Sequence, residues 1–332
     1  MIVSIIICTR NRADNLRQTL ESLDSIDVPA GLRPEILVVD NGSTDDTAEV
    51  LQRRKASTIP IRRVFEPVPG QCRARNAGLS QSTGDIIIFT DDDIRFPKDW
   101  LPAMCEPIIA KKADGIAGNV ELAPYLQRPW MTALHRAWLG STERLDPLEP
   151  SEMVGASMAF ARNVLDVVPS FDVELDPGAL GFGGDTLFSF QLKKAGLKIL
   201  RSKGPAVLHC FDEKRLSRSN WLRAAKDRGA SNAYLDYHWR HQSLSLLPLL
   251  FFRNLARYYR RRVLRWRECL SQEGAPEWEL HCLAGIHRLV RYSVESKRPR
   301  NYYREGLVKI RGVVERPKPL PVLGKSSITS AF

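Results

Sequence analysis

Between Asp85 and Asp93 the chain reads Asp-Ile-Ile-Ile-Phe-Thr-Asp-Asp-Asp, an apolar run over 86–89 that ends in three carboxylates. A short continuous apolar run is the pattern of a strand covered on both faces of a parallel sheet. Charged side chains are seldom buried without a partner, so three aspartates at the end of such a strand call for an opposing positive charge. A divalent cation with oxygen ligands, Mg²⁺ or Mn²⁺, meets that need and commonly bridges carboxylates to substrate phosphates. On this stretch alone a solvated acidic turn meets it equally well. Side chains alternate along an extended segment, which separates Asp92 from Asp91 and Asp93.

The chain before this stretch alternates strand and helix. Ile2–Cys8 reads as a strand rather than a signal peptide, because it has no basic leader and no small-residue cleavage site. A polar loop, Thr9–Asp14, precedes Leu16, Leu20 and Leu23 at helical spacing. Ile36–Val39 is a second strand, followed by Asp40–Asp45, where Ser43 or Thr44 is expected to cap a helix running to about Arg54. Ile61–Phe65 is a third strand and Gly70–Ser80 a helix. Such alternation predicts an open, mostly parallel α/β sheet, whose ligands bind at the carboxyl ends of the strands. Thr9–Arg12, Asp40–Asp45 and Asp91–Asp93 each follow a strand, which points to one shared ligand site. The first turn is not G-x-G-x-x-G, and no G-x-x-x-x-G-K-[ST] occurs, so dinucleotide and P-loop sites are disfavoured.

Four segments, SIIICTRNRADNLRQTLESL, EILVVDNGSTDDT, GQCRARNAGLSQSTGDIIIFTDDD and GFGGDTLFSFQLKKAGLKI, together resemble the family 2 glycosyltransferases. The resemblance covers about residues 1–215. It implies a GT-A fold, a Rossmann-like mostly parallel sheet with flanking helices. It implies transfer of a sugar from a nucleotide-diphosphate donor (UDP-, GDP- or dTDP-linked) with inversion, using Mn²⁺ or Mg²⁺. By this likeness Thr9, Arg10 and Arg12 lie along the nucleotide. Asp40 accepts from the base, with Asn41 and Ser43 supporting its loop. Arg73 and Asn76 reach the base or diphosphate, Asp91 and Asp92 lie near the ribose, and Asp93 binds the metal. The resemblance leaves the acceptor open among a glycan, a lipid-linked oligosaccharide and a small molecule.

Further on, a helix is expected from Pro97 and a strand over Gly115–Leu122. The irregular stretch 124–150, with Trp130, His135 and Trp138, suits either acceptor contact or core packing. His135 is expected at the surface or as a cap. Met153–Phe160 is a strand of small residues that allows close ligand approach on the acceptor side. A glycine-rich loop, including Pro177, Gly178, Gly181, Gly183 and Gly184, leads to Asp185 at a helix start, where the dipole favours a carboxylate. A plain cap would satisfy that position; the resemblance implies the catalytic base. The family often has Glu or Gln where Gly184 stands. His209 ends the last short strand, where a packed histidine would satisfy the sequence; by the same likeness it completes the metal site.

Charge divides the chain. Residues 1–215 carry 26 Lys/Arg and 29 Asp/Glu, net −3, while residues 216–332 carry 23 and 9, net +14. This predicts a catalytic domain over 1–215, with a nucleotide-sugar half to about 95 and an acceptor half over 96–215. A mainly helical, basic extension with a loose tail follows over 216–332. In the extension, Ser243–Phe252 is apolar but too short to span a bilayer, and arginines follow it, as in an interfacial helix on an anionic membrane. The same charge is compatible with nucleic-acid binding, but no reading motif accompanies it and none is expected. A nucleotidyltransferase of similar sheet is the nearer alternative, disfavoured by the missing glycine- and lysine-rich first loop. Six scattered cysteines without a C-x-x-C pair fit a reducing cytoplasm.

Overall fold

The computed structural model describes residues 1–54, 58–150, 152–176 and 179–310. Pro177, Gly178 and the expected tail at 317–332 lie outside the described residues. The chain runs β1 (Ile2–Thr9), α1 (Ala13–Leu23), β2 (Arg33–Asp40), α2 (Thr47–Arg53), β3 (Ile61–Phe65), α3 (Gln71–Gln81) and β4 (Ile86–Asp91). It continues through β5 (Ile94–Arg95), α4 (Trp100–Ile109), β6 (Gly115–Ala117), β7 (Val120–Leu122), α5 (Ala133–Trp138) and β8 (Ser157–Ala161). The last elements are α6 (Gly184–Lys194), β9 (Ile199–Arg201), β10 (Val207–His209), α7 (Arg218–Tyr234), α8 (Leu247–Leu264) and α9 (Glu277–Glu295).

Seven strands form the central sheet in the order β3-β2-β1-β4-β8-β6-β9. The first four are mutually parallel, and β8 runs antiparallel between β4 and β6. The apolar runs of β1, β2 and β4 are covered on both faces. Ile5, Ile7, Val38, Ile86 and Ile88 pack with Leu16, Leu20 and Leu23 of α1, while Ile6, Leu37, Val39, Ile87 and Phe89 pack with residues of α3 and α6. A small sheet, β5-β10-β7, stands beside the first.

Gly115–Leu122 does not form one strand. It breaks at Gly118, whose backbone lies against Ser157 with no room for a side chain, and the Asn119 amide anchors the turn to the carbonyls of Ser202 and Gly204. One half therefore joins each sheet. The strand expected from Met153 begins only at Ser157, and the helix expected from Pro97 begins at Trp100. Nor do Ser43 and Thr44 cap α2, which starts at Thr47; both are tied to Asn11 of the neighbouring loop.

The C-terminal helices pack on one another and share a core with the irregular stretch. Trp221, Leu280, Leu283 and Ile286 meet Leu122, Leu126, Met131 and Leu139. His135 is buried in this core; its ring caps α5 with Thr132 and bonds the carbonyl of Ala275.

Candidate active site

The carboxyl ends of β1, β2 and β4 open on a cleft of about 1100 Å³, which Asp185 and His209 also line. The first two loops brace each other. Asn11 adopts a left-handed φ of 53°, which asparagine tolerates, and its amide oxygen accepts from the backbone N–H of Thr44. Asn41 holds the loop 66–70 through the carbonyls of Glu66 and Val68 and the N–H of Gly70. Asp40 is buried and accepts from Ser43 N–H at 2.9 Å and Arg63 at 2.5 Å.

The three aspartates are buried or nearly so, and each has a different surrounding. Asp92 accepts from Thr9 Oγ1 at 2.7 Å and from Arg12 at 3.0 Å. Burial pushes its carboxyl up to about 7 against the pull of Arg12. Asp93 takes Arg12 at 3.0 Å on one oxygen and faces His209 Nε2 at 3.2 Å on the other. Burial works to raise Asp93, but a charged His209 together with Arg12 and Arg215 outweighs it and holds the carboxyl below the usual range, a pull that the neutral ring does not supply. Asp91 is raised by burial and by Asp93.

Asp91, Asp93 and His209 present ligand atoms within 4.8 Å of one another. His209 Nδ1 lies 2.8 Å from the carbonyl of Leu139, which can only accept, so Nδ1 carries hydrogen. In the neutral ring, Nε2 then aims a lone pair at Asp93 Oδ1, a buried oxygen without a hydrogen-bond partner among the described residues. Two acceptors facing each other in a buried place fit a cation between them. A histidine anchored through its other nitrogen to a carbonyl is the usual metal-ligand arrangement.

Asp185 sits in the first turn of α6 and accepts from Gly155 N–H and from Thr186 N–H, both at 3.0 Å. Beside it, Glu152 accepts from Thr186 Oγ1 at 2.6 Å. No side chain fits at Gly184, because a Cβ there would strike Cys72 Sγ of α3.

Thr9, Arg10, Arg12, Asn41 and Asp91–Asp93 thus meet Asp185 and His209 on one cleft. Asn76 points elsewhere, its amide pairing with both backbone groups of Phe171, and Arg73 packs beside Gly70. Arg75, one position from the helix face chosen on sequence, is the arginine of α3 that enters the cleft. It is buried against Gly155, in electrostatic reach of Asp185 and Asp91. Arg215, also missed on sequence, follows β10 and packs on Phe211 within electrostatic reach of all three aspartates. Only its position six residues after His209 could have suggested it.

The chain is 35% identical over 120 residues to glycosyltransferase AglE of Haloferax volcanii, covering 36% of this chain and 39% of that one. It is 33% identical over 110 residues to undecaprenyl-phosphate 4-deoxy-4-formamido-L-arabinose transferase of Klebsiella pneumoniae, covering 31% and 32%. It is 32% identical over 119 residues to succinoglycan biosynthesis protein ExoM of Rhizobium meliloti, covering 36% and 38%. Each match spans less than half of the relative. Among solved structures, mannosyltransferase PcManGT of Pyrobaculum calidifontis, in complex with GDP-Man and Mn²⁺, superposes with a TM-score of 0.51 at 18% identity, covering 89% of this chain and 75% of that one. TarS 1–349 of S. aureus with UDP gives 0.50 at 18%, covering 92% and 93%. Residues 4–168, from β1 to just past β8, match the pattern that defines glycosyl transferase family 2, and the chain belongs to that family.

Proposed function

We propose that this chain is an inverting, metal-dependent glycosyltransferase that moves a sugar from a nucleoside-diphosphate donor to an acceptor hydroxyl. The observation that carries the reading is the convergence of the Asp91–Asp93–His209 ligand set and Asp185 on one cleft. Asp91, Asp93 and His209 would hold Mn²⁺ or Mg²⁺, which supplies Lewis-acid stabilisation of the charge on the departing diphosphate. Arg12, and Arg215 beside it, add positive charge on the same side. Thr9, Arg10 and Asn41 shape the nucleotide end, where Asp40 stiffens the loop.

Asp185 takes the acceptor hydroxyl proton as the oxygen bonds to the anomeric carbon. The bond from that carbon to the diphosphate breaks on the opposite face, and the nucleoside diphosphate leaves. The Gly155 and Thr186 N–H groups orient the carboxylate. The names of the relatives, one acting on undecaprenyl phosphate and one in succinoglycan synthesis, favour a lipid-linked or glycan acceptor. Release of nucleoside diphosphate from a panel of nucleotide sugars with Mn²⁺ tests the reading. Release that persists in Asp185→Asn would defeat the assignment of the base.

We further propose that α8 docks the enzyme on the anionic cytoplasmic face of a membrane. No helix among the described residues is long and apolar enough to cross one. On α8, Phe251, Leu255 and Tyr258 pack inward, while Leu249, Phe252, Tyr259 and Val263 form an outward stripe, 58–73% exposed. Arg253, Arg257, Arg260, Arg261 and Arg262 accompany the stripe, and the helix has no acidic residue. An apolar stripe with dense arginine complements an anionic lipid surface. Co-sedimentation with anionic liposomes at low salt, weakening as salt rises, is expected. No binding at low salt would leave α8 a packing role only.

A further inference from the structure

Across the cleft from the aspartate triplet, α7 inserts an arginine that nothing in the proposed chemistry uses. Arg228 lies 4.6 Å from the ring centroid of Trp138 and 5.5 Å from that of Phe182. Its Nε is buried and has no hydrogen-bond partner among the described residues. Among the described residues no carboxylate stands within ion-pair distance of it; Glu152 and Asp185 reach it only through longer-range attraction. Both are engaged elsewhere, Glu152 with Thr186 and Asp185 with Gly155. Burial accordingly pulls the Arg228 guanidinium below its ordinary value.

Arg228 is half-buried with its Nε out of water and unbonded among the described residues, which is unfavourable, and two aromatic faces offset only part of that. The position is inside the cleft, on the side of Asp185 rather than of Asp91–Asp93. Arg144 and Arg223 are exposed and line the same cleft, as does Glu152. With Arg228 they bring three positive charges to the cleft that holds Asp185. A planar guanidinium held against two rings is preorganised for the oxygens of a phosphate or carboxylate.

We propose that the acceptor carries a phosphate or carboxylate close to its attacking hydroxyl, and that Arg228 binds this anion. The inference rests on the reading of Asp185 as base, since that reading makes this side of the cleft the acceptor side. It adds a substrate class that the donor half does not determine.

The test fills the donor half of the full chain with nucleoside diphosphate and Mn²⁺, then titrates three probes: inorganic phosphate, geranyl phosphate and glucuronate. Tryptophan fluorescence reports binding, because Trp138 stacks on Arg228; Trp138→Phe identifies its share. Saturable binding of at least one probe is expected, weakened at least about tenfold in Arg228→Gln and partly retained in Arg228→Lys. Nucleotide affinity should be the same in all three proteins. Tighter binding of geranyl phosphate than of phosphate indicates a lipid-linked source of the anion. Preference for glucuronate indicates an acidic glycan. Absence of saturable anion binding in the wild type, or equal binding by Arg228→Gln and wild type, overturns the proposal. Should Arg228→Gln fail to fold, Arg228→Lys and the wild-type titration still decide. Failure of the nucleotide itself to bind would instead strike the proposed transferase function.

Discussion

Asp185 and Asp93 carry opposite kinds of expectation. Removing a general base lowers turnover by roughly 10²–10⁴-fold while leaving binding in place. Asp185→Asn should therefore keep donor affinity and lose turnover by about that factor, measured as kcat with nucleotide affinity from calorimetry. Asp93→Ala should instead lose Mn²⁺-dependent donor binding together with turnover, because the buried oxygen facing His209 goes with it. Unaltered Mn²⁺ dependence in that variant would remove Asp93 from the ligand set. The aspartates were legible in the chain because three carboxylates at the end of an apolar strand break a strong local rule. Arg75, Arg215 and Arg228 break none. An arginine on a helix reads as a surface residue until the fold shows what lies above it, and here Gly155, Phe211 and Trp138 lie there.

Helix α6 and helix α3 approach each other at Gly184 and Cys72 so closely that a methyl group would collide with the sulfur. Gly184→Ala should cost about 1–3 kcal/mol by overpacking and displace Asp185 with the helix start. Urea denaturation and turnover would both register the change, and adding Cys72→Ala should restore much of each. On α8, Leu249→Ser with Phe252→Ser and Val263→Ser should abolish liposome binding without altering turnover on a water-soluble acceptor, since these side chains face outward. Loss of turnover as well would mean that α8 supports the cleft instead. The strand–helix alternation of the first 91 residues was readable because each apolar run is long and buried on both faces. The division of Gly115–Leu122 between two sheets was not. It depends on Ser157 and on the carbonyls of Ser202 and Gly204, which are remote in sequence.

At the scale of the molecule, the C-terminal helices are joined through buried charge as well as through apolar contact. Glu295 at the end of α9 is fully buried and accepts from His238 at 3.1 Å and Arg291 at 2.6 Å. Burial works to raise its carboxyl, but the His238 hydrogen bond and then Arg291 outweigh it and lower it from 4.5. A depressed folded value stabilises the fold above the unfolded carboxylate range and is lost as pH falls through it. The thermal midpoint should therefore decline below about pH 4.5, and Glu295→Gln should show a shallower decline from a lower start. The proposed ligand set has a broader reach. Asp91 ends a strand of the large sheet and His209 ends a strand of the small one, with Asp93 between them. An ion held there is a rivet through two plates, so Mn²⁺ at a hundred times its Kd should add about 2.7 kcal/mol to global stability. A chelator should reverse the gain, and Asp93→Ala should never show it. The protein would then be sturdiest when charged for reaction, and a cell short of the ion would hold an enzyme both idle and more open to proteolysis along the seam between its sheets.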